Sequence, residues 1–164
     1  MPNQDETVAE GVEVRATGQG RFQVEIQAGG VRFIADEPAA AGGLGSGPTP
    51  YDLIGAALGA CTAMTLRIYA DKKGWPLTSA TVRVLHHRGG LEAKDRFARE
   101  IVLEGGLTHD QERRLLEIAD RCPVHQTLER GSEVITVLAD KPLPGHLDPE
   151  PLAHMTDAIE ACQD

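Results

Sequence analysis

The chain has 164 residues, 41% of them hydrophobic, which suits one domain with its own core and excludes disorder along the whole length. Sixteen basic against 25 acidic residues leave a net charge of −9. With that charge and only six aromatics (one Trp, two Tyr, three Phe), the chain lacks the phosphate-neutralising and stacking groups of a nucleic-acid binder, and an anionic membrane surface is disfavoured as a partner.

Residues 1–10 read as a flexible lead without the basic start and apolar centre of a signal peptide. Val12, Val14 and Ala16 alternate with polar residues and predict a half-buried strand. Phe22, Val24 and Ile26 predict a second, and Gly29-Gly30 is a two-residue hairpin signal returning the chain as Val31–Ala35. A glycine-rich loop, Asp36–Pro48, follows. Thr49-Pro50-Tyr51-Asp52 is a helix start, with a capping Thr, Pro in the first turn and an acid near the positive dipole end. The helix is expected to run to about Lys73, before Gly74-Trp75-Pro76. Its stretch Leu53–Leu66 is apolar nearly all round, too short to span a bilayer and suited to enclosure in a core.

Thr81–His87 and Phe97–Glu104 predict two strands joined by a turn at Arg88–Arg96. Thr108 and Gln111 form a capping-box start to a helix whose apolar face is Leu115, Leu116, Ile118 and Ala119. Cys122-Pro123 interrupts that helix, Pro123–Glu129 begins a short new one, and Gly131 stops it. Glu133–Ala139 reads as a last strand, and residues 141–164 as an appended tail. The order βββ–α–ββ–αα–β groups strands without regular alternation with helices. It therefore predicts an α+β domain over residues 11–140 with antiparallel sheets.

Candidates for chemistry are few. The glycines at 18–20 and 42–47 lack the ending and the helix context of phosphate-binding loops, so no nucleotide cofactor is implied. Cys122-x-x-His125 has no second ligand pair, and His86 and His87 point to opposite strand faces, so no metal is implied either. His86, His87, His109, His146 and His154 read as surface or locally satisfied histidines. Three scattered cysteines do not make a secreted disulfide scaffold, and a cytoplasmic location is expected. Cys61, inside the most apolar helix, reads first as a small buried hydrophobe that reacts only if a cation reaches it. Cys122 stands at a helix cap position, where backbone N–H groups and the dipole favour a thiolate. Arg121 adds a cation if its side chain turns the same way. On these grounds a reactive and an inert thiol remain equally open for Cys122.

Gly47-Pro48-Thr49-Pro50-Tyr51-Asp52-Leu53, Ala57-Leu58-Gly59-Ala60-Cys61-Thr62 and Arg121-Cys122-Pro123-Val124-His125, in this order and spacing, resemble the OsmC/Ohr superfamily of osmotically inducible and organic hydroperoxide resistance proteins. The resemblance spans about residues 11–140 and is nearest the OsmC-like branch. It implies an OsmC-like fold, antiparallel sheets around a central buried helix, in an intertwined homodimer. A lone all-apolar helix needs cover on every side, which points the same way. It implies thiol-dependent reduction of organic hydroperoxides, with Cys61 as the peroxidatic and Cys122 as the resolving cysteine. A dithiol, lipoyl-type or other, would reduce the disulfide. An Arg of the N-terminal hairpin would hold the Cys61 thiolate: Arg21, or alternatively Arg15. Leu53, Ile54, Leu58 and Met64 are the expected apolar lining. Cys162, in the tail, is expected to take no part. The peroxidases carry a Glu ten residues before the first Cys, where this chain has Tyr51 with Asp52 beside it. That departure sustains a second reading, a redox sensor or small-molecule-binding protein with little turnover. A third is an interaction domain with incidental cysteines.

Overall fold

The computed structural model describes residues 11–140 and 153–163. The chain divides into two compact units, residues 1–53 and 54–164.

The first unit carries an antiparallel sheet of β1 (Glu13–Ala16), β2 (Val24–Ala28) and β3 (Val31–Ala35), in that order. The expected hairpin is present. Gly29 and Gly30 both have positive φ, 54° and 77°, the combination a tight turn between right-twisted strands demands. After β3 the glycine-rich loop folds around one carboxylate. Asp36, 2% exposed, accepts from the backbone N–H groups of Glu37, Leu44 and Ser46 and from the Ser46 hydroxyl. Burial alone would push Asp36 up, but these hydrogen bonds outweigh it and hold the carboxyl below its ordinary value. The loop's glycines serve packing. A Cβ on Gly47 would lie 2.2 Å from the Ile34 carbonyl oxygen, and one on Gly43 only 1.9 Å from that of Glu37. Gly47→Ala is therefore expected to destabilise the fold by about 2–4 kcal/mol, since backbone must move to admit the methyl. Chemical denaturation measures this, and a variant as stable as the parent would contradict it.

Helix α1 (Pro50–Lys73) starts where the sequence says. Thr49 and Asp52 cap each other: the Asp52 N–H donates to the Thr49 hydroxyl, and the Asp52 carboxylate accepts from the Thr49 N–H and hydroxyl. The Thr49 backbone bond, then the hydroxyl bond, holds the Asp52 carboxyl below its usual value. Helix α1 ends at Lys73, as expected, and at 24 residues it would by length and composition alone suffice to cross a membrane.

In the second unit α1 lies along an antiparallel ribbon of β4 (Leu77–His87) and β5 (Arg96–Gly105). Gly55 and Gly59 let the helix approach: a Cβ on Gly59 would sit 3.5 Å from Val84 and 3.7 Å from the Val82 carbonyl. Val82, Val84 and His86 are on the covered face of β4, and Arg83, Leu85 and His87 on the exposed one, in the alternation read from the sequence. Helix α2 (His109–Ala119) opens with the full Thr108–Gln111 capping box. It sets Leu115, Ile118 and Ala119 against Leu66, Tyr69 and Ala70 of α1 and Leu77 of β4. Helix α3 (Pro123–Arg130) follows after a sharp elbow, with Pro123 at its start and Gly131, φ 77°, at its end.

Two expectations about the C-terminal part change. Glu133–Ala139 joins neither sheet. A β sequence becomes a strand only against a partner's backbone, and among the described residues none is offered. Val134 and Leu138 stand 84% and 74% exposed. Conversely, the segment read as a tail contributes helix α4 (Ala153–Ala161), with Ala158 and Cys162 buried. The Arg121 guanidinium donates to the Ala161 carbonyl and Lys72 Nζ to that of Cys162, so both cations hold the helix's negative end. His146 lies outside the described residues.

Candidate functional site

The site is built where the middle of α1 meets the elbow before α3. Cys61 is half-buried on α1 and is followed by two threonines that return their hydroxyls to the helix: Thr62 to the Leu58 carbonyl and Thr65 to that of Cys61. Cys122 is fully buried and occupies the N-cap of α3, with no capping hydrogen bond from its side chain. Its neighbour Pro123 needs no hydrogen-bond acceptor there, so the chain can turn sharply and present the sulfur inward. The structure brings the two sulfurs together, the Cys61 thiol hydrogen-bonding Cys122.

Burial pushes the Cys61 thiol up to about 11, and the hydrogen bond to Cys122, which favours the protonated form, adds to this. The Val124 backbone N–H and the Thr65 hydroxyl pull it back in part. All three cysteines are free thiols. Cys162 is no part of a loose end. It is fully buried in the core with Leu66 and Tyr69, and its Sγ lies 3.7 Å from the Thr65 carbonyl oxygen it donates to.

Above Cys61 is a cavity of about 220 Å³, lined by Ala57, Ala60, Met64 and Thr65 of α1, Val124 of α3, and His154, Met155 and Ala158 of α4. Of the four apolar residues expected to line it, Met64 does so. Leu53, Ile54 and Leu58 do not, and Leu58 is buried in the core instead. The small Ala57 and Ala60 leave the space that larger side chains would fill. His154, read as a surface histidine, also borders a second cavity, of about 390 Å³, beside Arg121, Arg130 and Asp157.

Arg21 lies in the first unit, in the connection between β1 and β2, with its guanidinium 5.2 Å from the centre of the Phe22 ring. Arg15 pairs with Glu13 on β1, which was expected to be half-buried but is exposed at all four residues, Val14 included. The Asp52 carboxylate is engaged by Thr49. Arg121 is directed to the end of α4.

The sequence reading missed Arg99. Its side chain is 11% exposed, and it donates to Thr62 Oγ1 (3.0 Å), the Ala119 carbonyl (2.8 Å), Asp120 Oδ1 (2.8 Å) and His125 Nδ1 (2.8 Å). A signal was present. The covered face of β5 reads Phe97, Arg99, Ile101, Leu103, and one Arg interrupts an otherwise apolar period of two.

Comparison with known proteins bears on this site. A family model described as OsmC-like protein matches residues 43–137, which include both cysteines of the pair. Among solved structures, an osmotic stress induced and detoxification response protein of Psychrobacter arcticus 273-4 aligns with a TM-score of 0.60 at 19% identity, over 77% of this chain and 91% of that one. An organic hydroperoxide resistance protein OsmC of Legionella pneumophila aligns at 0.56 and 22%, over 73% and 88%. The organic hydroperoxide resistance protein OhrB of Bacillus subtilis aligns at 0.52 and 21%, over 72% and 88%. No curated protein matches the sequence significantly. The structural likenesses agree on the mixed α+β fold with antiparallel sheets.

Proposed function

Because this chain belongs to the OsmC-like protein family, we propose that its Cys61–Cys122 pair reduces organic hydroperoxides. The observation that carries the reading is the contact of two thiols beneath an apolar cavity. The Cys61 thiolate attacks the O–O bond, giving Cys61 sulfenic acid and releasing the alcohol once its oxygen takes a proton. The Cys122 sulfur then displaces water to form the disulfide, and an external dithiol returns the pair to thiols while becoming a disulfide itself. The apolar wall favours substrates with a hydrocarbon group, at about 0.8 kcal/mol per buried methylene, a gain hydrogen peroxide cannot make. Arg21 is the cation proposed to hold the thiolate, and a cytoplasmic location would keep the resting pair reduced. The hydroperoxide-resistance names of the structural neighbours support the same reading.

Treatment with one equivalent of cumene hydroperoxide, thiol titration and peptide mapping tests it. Two thiols should be lost and one Cys61–Cys122 peptide recovered, and dithiol should then sustain turnover. Recovery of a Cys61–Cys162 peptide, or no loss of thiols, would defeat the assignment. One observation favours the redox-sensor or binding reading: a thiol pushed up to about 11 reacts slowly. Two thiols lost without steady-state turnover would be its mark.

We also propose that the protein is a homodimer in which Glu133–Ala139 pairs with a second copy. This segment has a strand's composition, no sheet partner among the described residues, and exposed Val134 and Leu138. Light scattering at low micromolar concentration should give twice the 17.6 kDa chain mass. A folded monomer there would overturn the proposal.

A further inference from the structure

We propose that Arg99 is the positioning residue that holds Cys122 where it can close a disulfide with Cys61, an inference that rests on the thiol-pair reading above. The argument begins with an oddity of β5. Arg99 stands opposite Val84 in the ribbon, on the face that otherwise carries Phe97, Ile101 and Leu103. An apolar side chain would fill that place without the cost of desolvating a charge. Buried ion pairs are commonly no more stabilising than apolar replacements, and the Asp120 partner is 69% exposed, so its attraction is screened. Stability therefore does not account for an arginine here.

The geometry of its contacts does. Thr62, on α1, is the residue after Cys61. Ala119 and Asp120 stand three and two residues before Cys122, and His125 three after it. One planar group thus ties the neighbour of the first thiol to both sides of the elbow carrying the second. The Ala119 carbonyl takes the Arg99 bond and also accepts from the Cys122 backbone N–H at 3.3 Å. The clamp therefore acts on the very carbonyl that anchors Cys122. The Cys122 side chain makes no capping bond of its own to steady the elbow. Because the guanidinium donates, His125 Nδ1 is the acceptor and the ring proton sits on Nε2, facing the Glu129 carboxylate at 3.4 Å. Lysine has no rigid fork and could not reach four acceptors in one plane. Disulfide closure tolerates a narrow range of separations and angles, and misplacement by an ångström can slow such a step about a hundredfold.

The test uses the full chain and reads the two steps separately. Arg99→Met, Arg99→Lys and His125→Leu should slow closure after Cys61 oxidation about tenfold or more. They should also shift the glutathione equilibrium of the pair about tenfold toward the dithiol. His125→Asn, whose amide oxygen replaces Nδ1 as acceptor, should stay within about twofold of wild type in both. The first oxidation step should be unchanged in every variant. Unchanged closure and equilibrium in folded Arg99→Met, or equal slowing of both steps, would overturn the proposal, as would His125→Asn behaving like His125→Leu. If Arg99→Met does not fold, the two His125 variants decide. The glutathione equilibrium needs no hydroperoxide. A wild type that loses no thiols to cumene hydroperoxide would therefore end the peroxide reading while leaving Arg99 testable.

Discussion

Cys61→Ser should abolish dithiol-supported reduction of cumene hydroperoxide, by roughly three orders of magnitude or more, while Cys122→Ser should complete one turnover and stop. A serine hydroxyl fits the Cys61 position but stays protonated and is a poor nucleophile toward an O–O bond. The fold should survive, since the site is only half-buried. In Cys122→Ser the first step remains, so one alcohol per chain forms and Cys61 persists as a sulfenic acid that dimedone traps. Burial is the largest cause of the raised Cys61 thiol and remains in this variant. The charge of Cys122 also raises it and is lost, while the serine hydroxyl keeps a hydrogen-bonding group in place, so Cys61 should alkylate somewhat faster than in wild type. Cys162→Ser should leave turnover intact, because Cys162 is fully buried and its thiol is turned to the Thr65 carbonyl. Counting alcohol released per chain decides among these outcomes, and turnover by Cys61→Ser would remove Cys61 from the mechanism.

Arg21→Ala should slow alkylation of Cys61 at pH 7 by about a hundredfold. Burial first and Cys122 second push the thiol up to about 11, with no contribution from Arg21, whose approach to the sulfur is part of the proposal. At pH 7 a group of that kind is thiolate in only about one chain in ten thousand, against about 3% for an ordinary cysteine. A guanidinium beside the sulfur favours the charged form and lowers this value. In wild type the alkylation rate should thus level off below pH 9. In Arg21→Ala it should keep rising about tenfold per pH unit toward 11. An unchanged profile in Arg21→Ala together with a shifted one in Arg15→Ala would move the role to Arg15. Unchanged profiles in both would leave the thiol unactivated and favour the sensor reading.

How far these residues can be read from sequence depends on the range of the forces that place them. The Gly29-Gly30 hairpin, the Thr49–Asp52 and Thr108–Gln111 caps and the Pro123 start of α3 are decided within about four residues, by backbone dihedrals and local hydrogen bonds. Their residue types therefore announce them. The elbow at Cys122 was legible for the same reason. The inward placement of Cys61 followed less directly. An all-apolar helix has no hydrophobic stripe to fix its rotation, so the lining expected from Leu58 gave way to the face of Ala57, Ala60 and Met64.

The sequence by itself determined the α+β order as far as α3, the family motifs and the two cysteines worth examining. Only the tertiary structure decided what surrounds them. Arg99 reaches partners 37, 20, 21 and 26 residues away, and no local pattern encodes which acceptors a long side chain will meet across packed elements. Helix α4 roofs the Cys61 cavity, and Cys162 enters the core against Thr65, 97 residues earlier, because apolar surface was available there for a weakly patterned segment to bury. Glu133–Ala139 shows the converse. Its composition is that of a strand, but a strand is a pairing of two backbones, and the second backbone is not written in the segment itself.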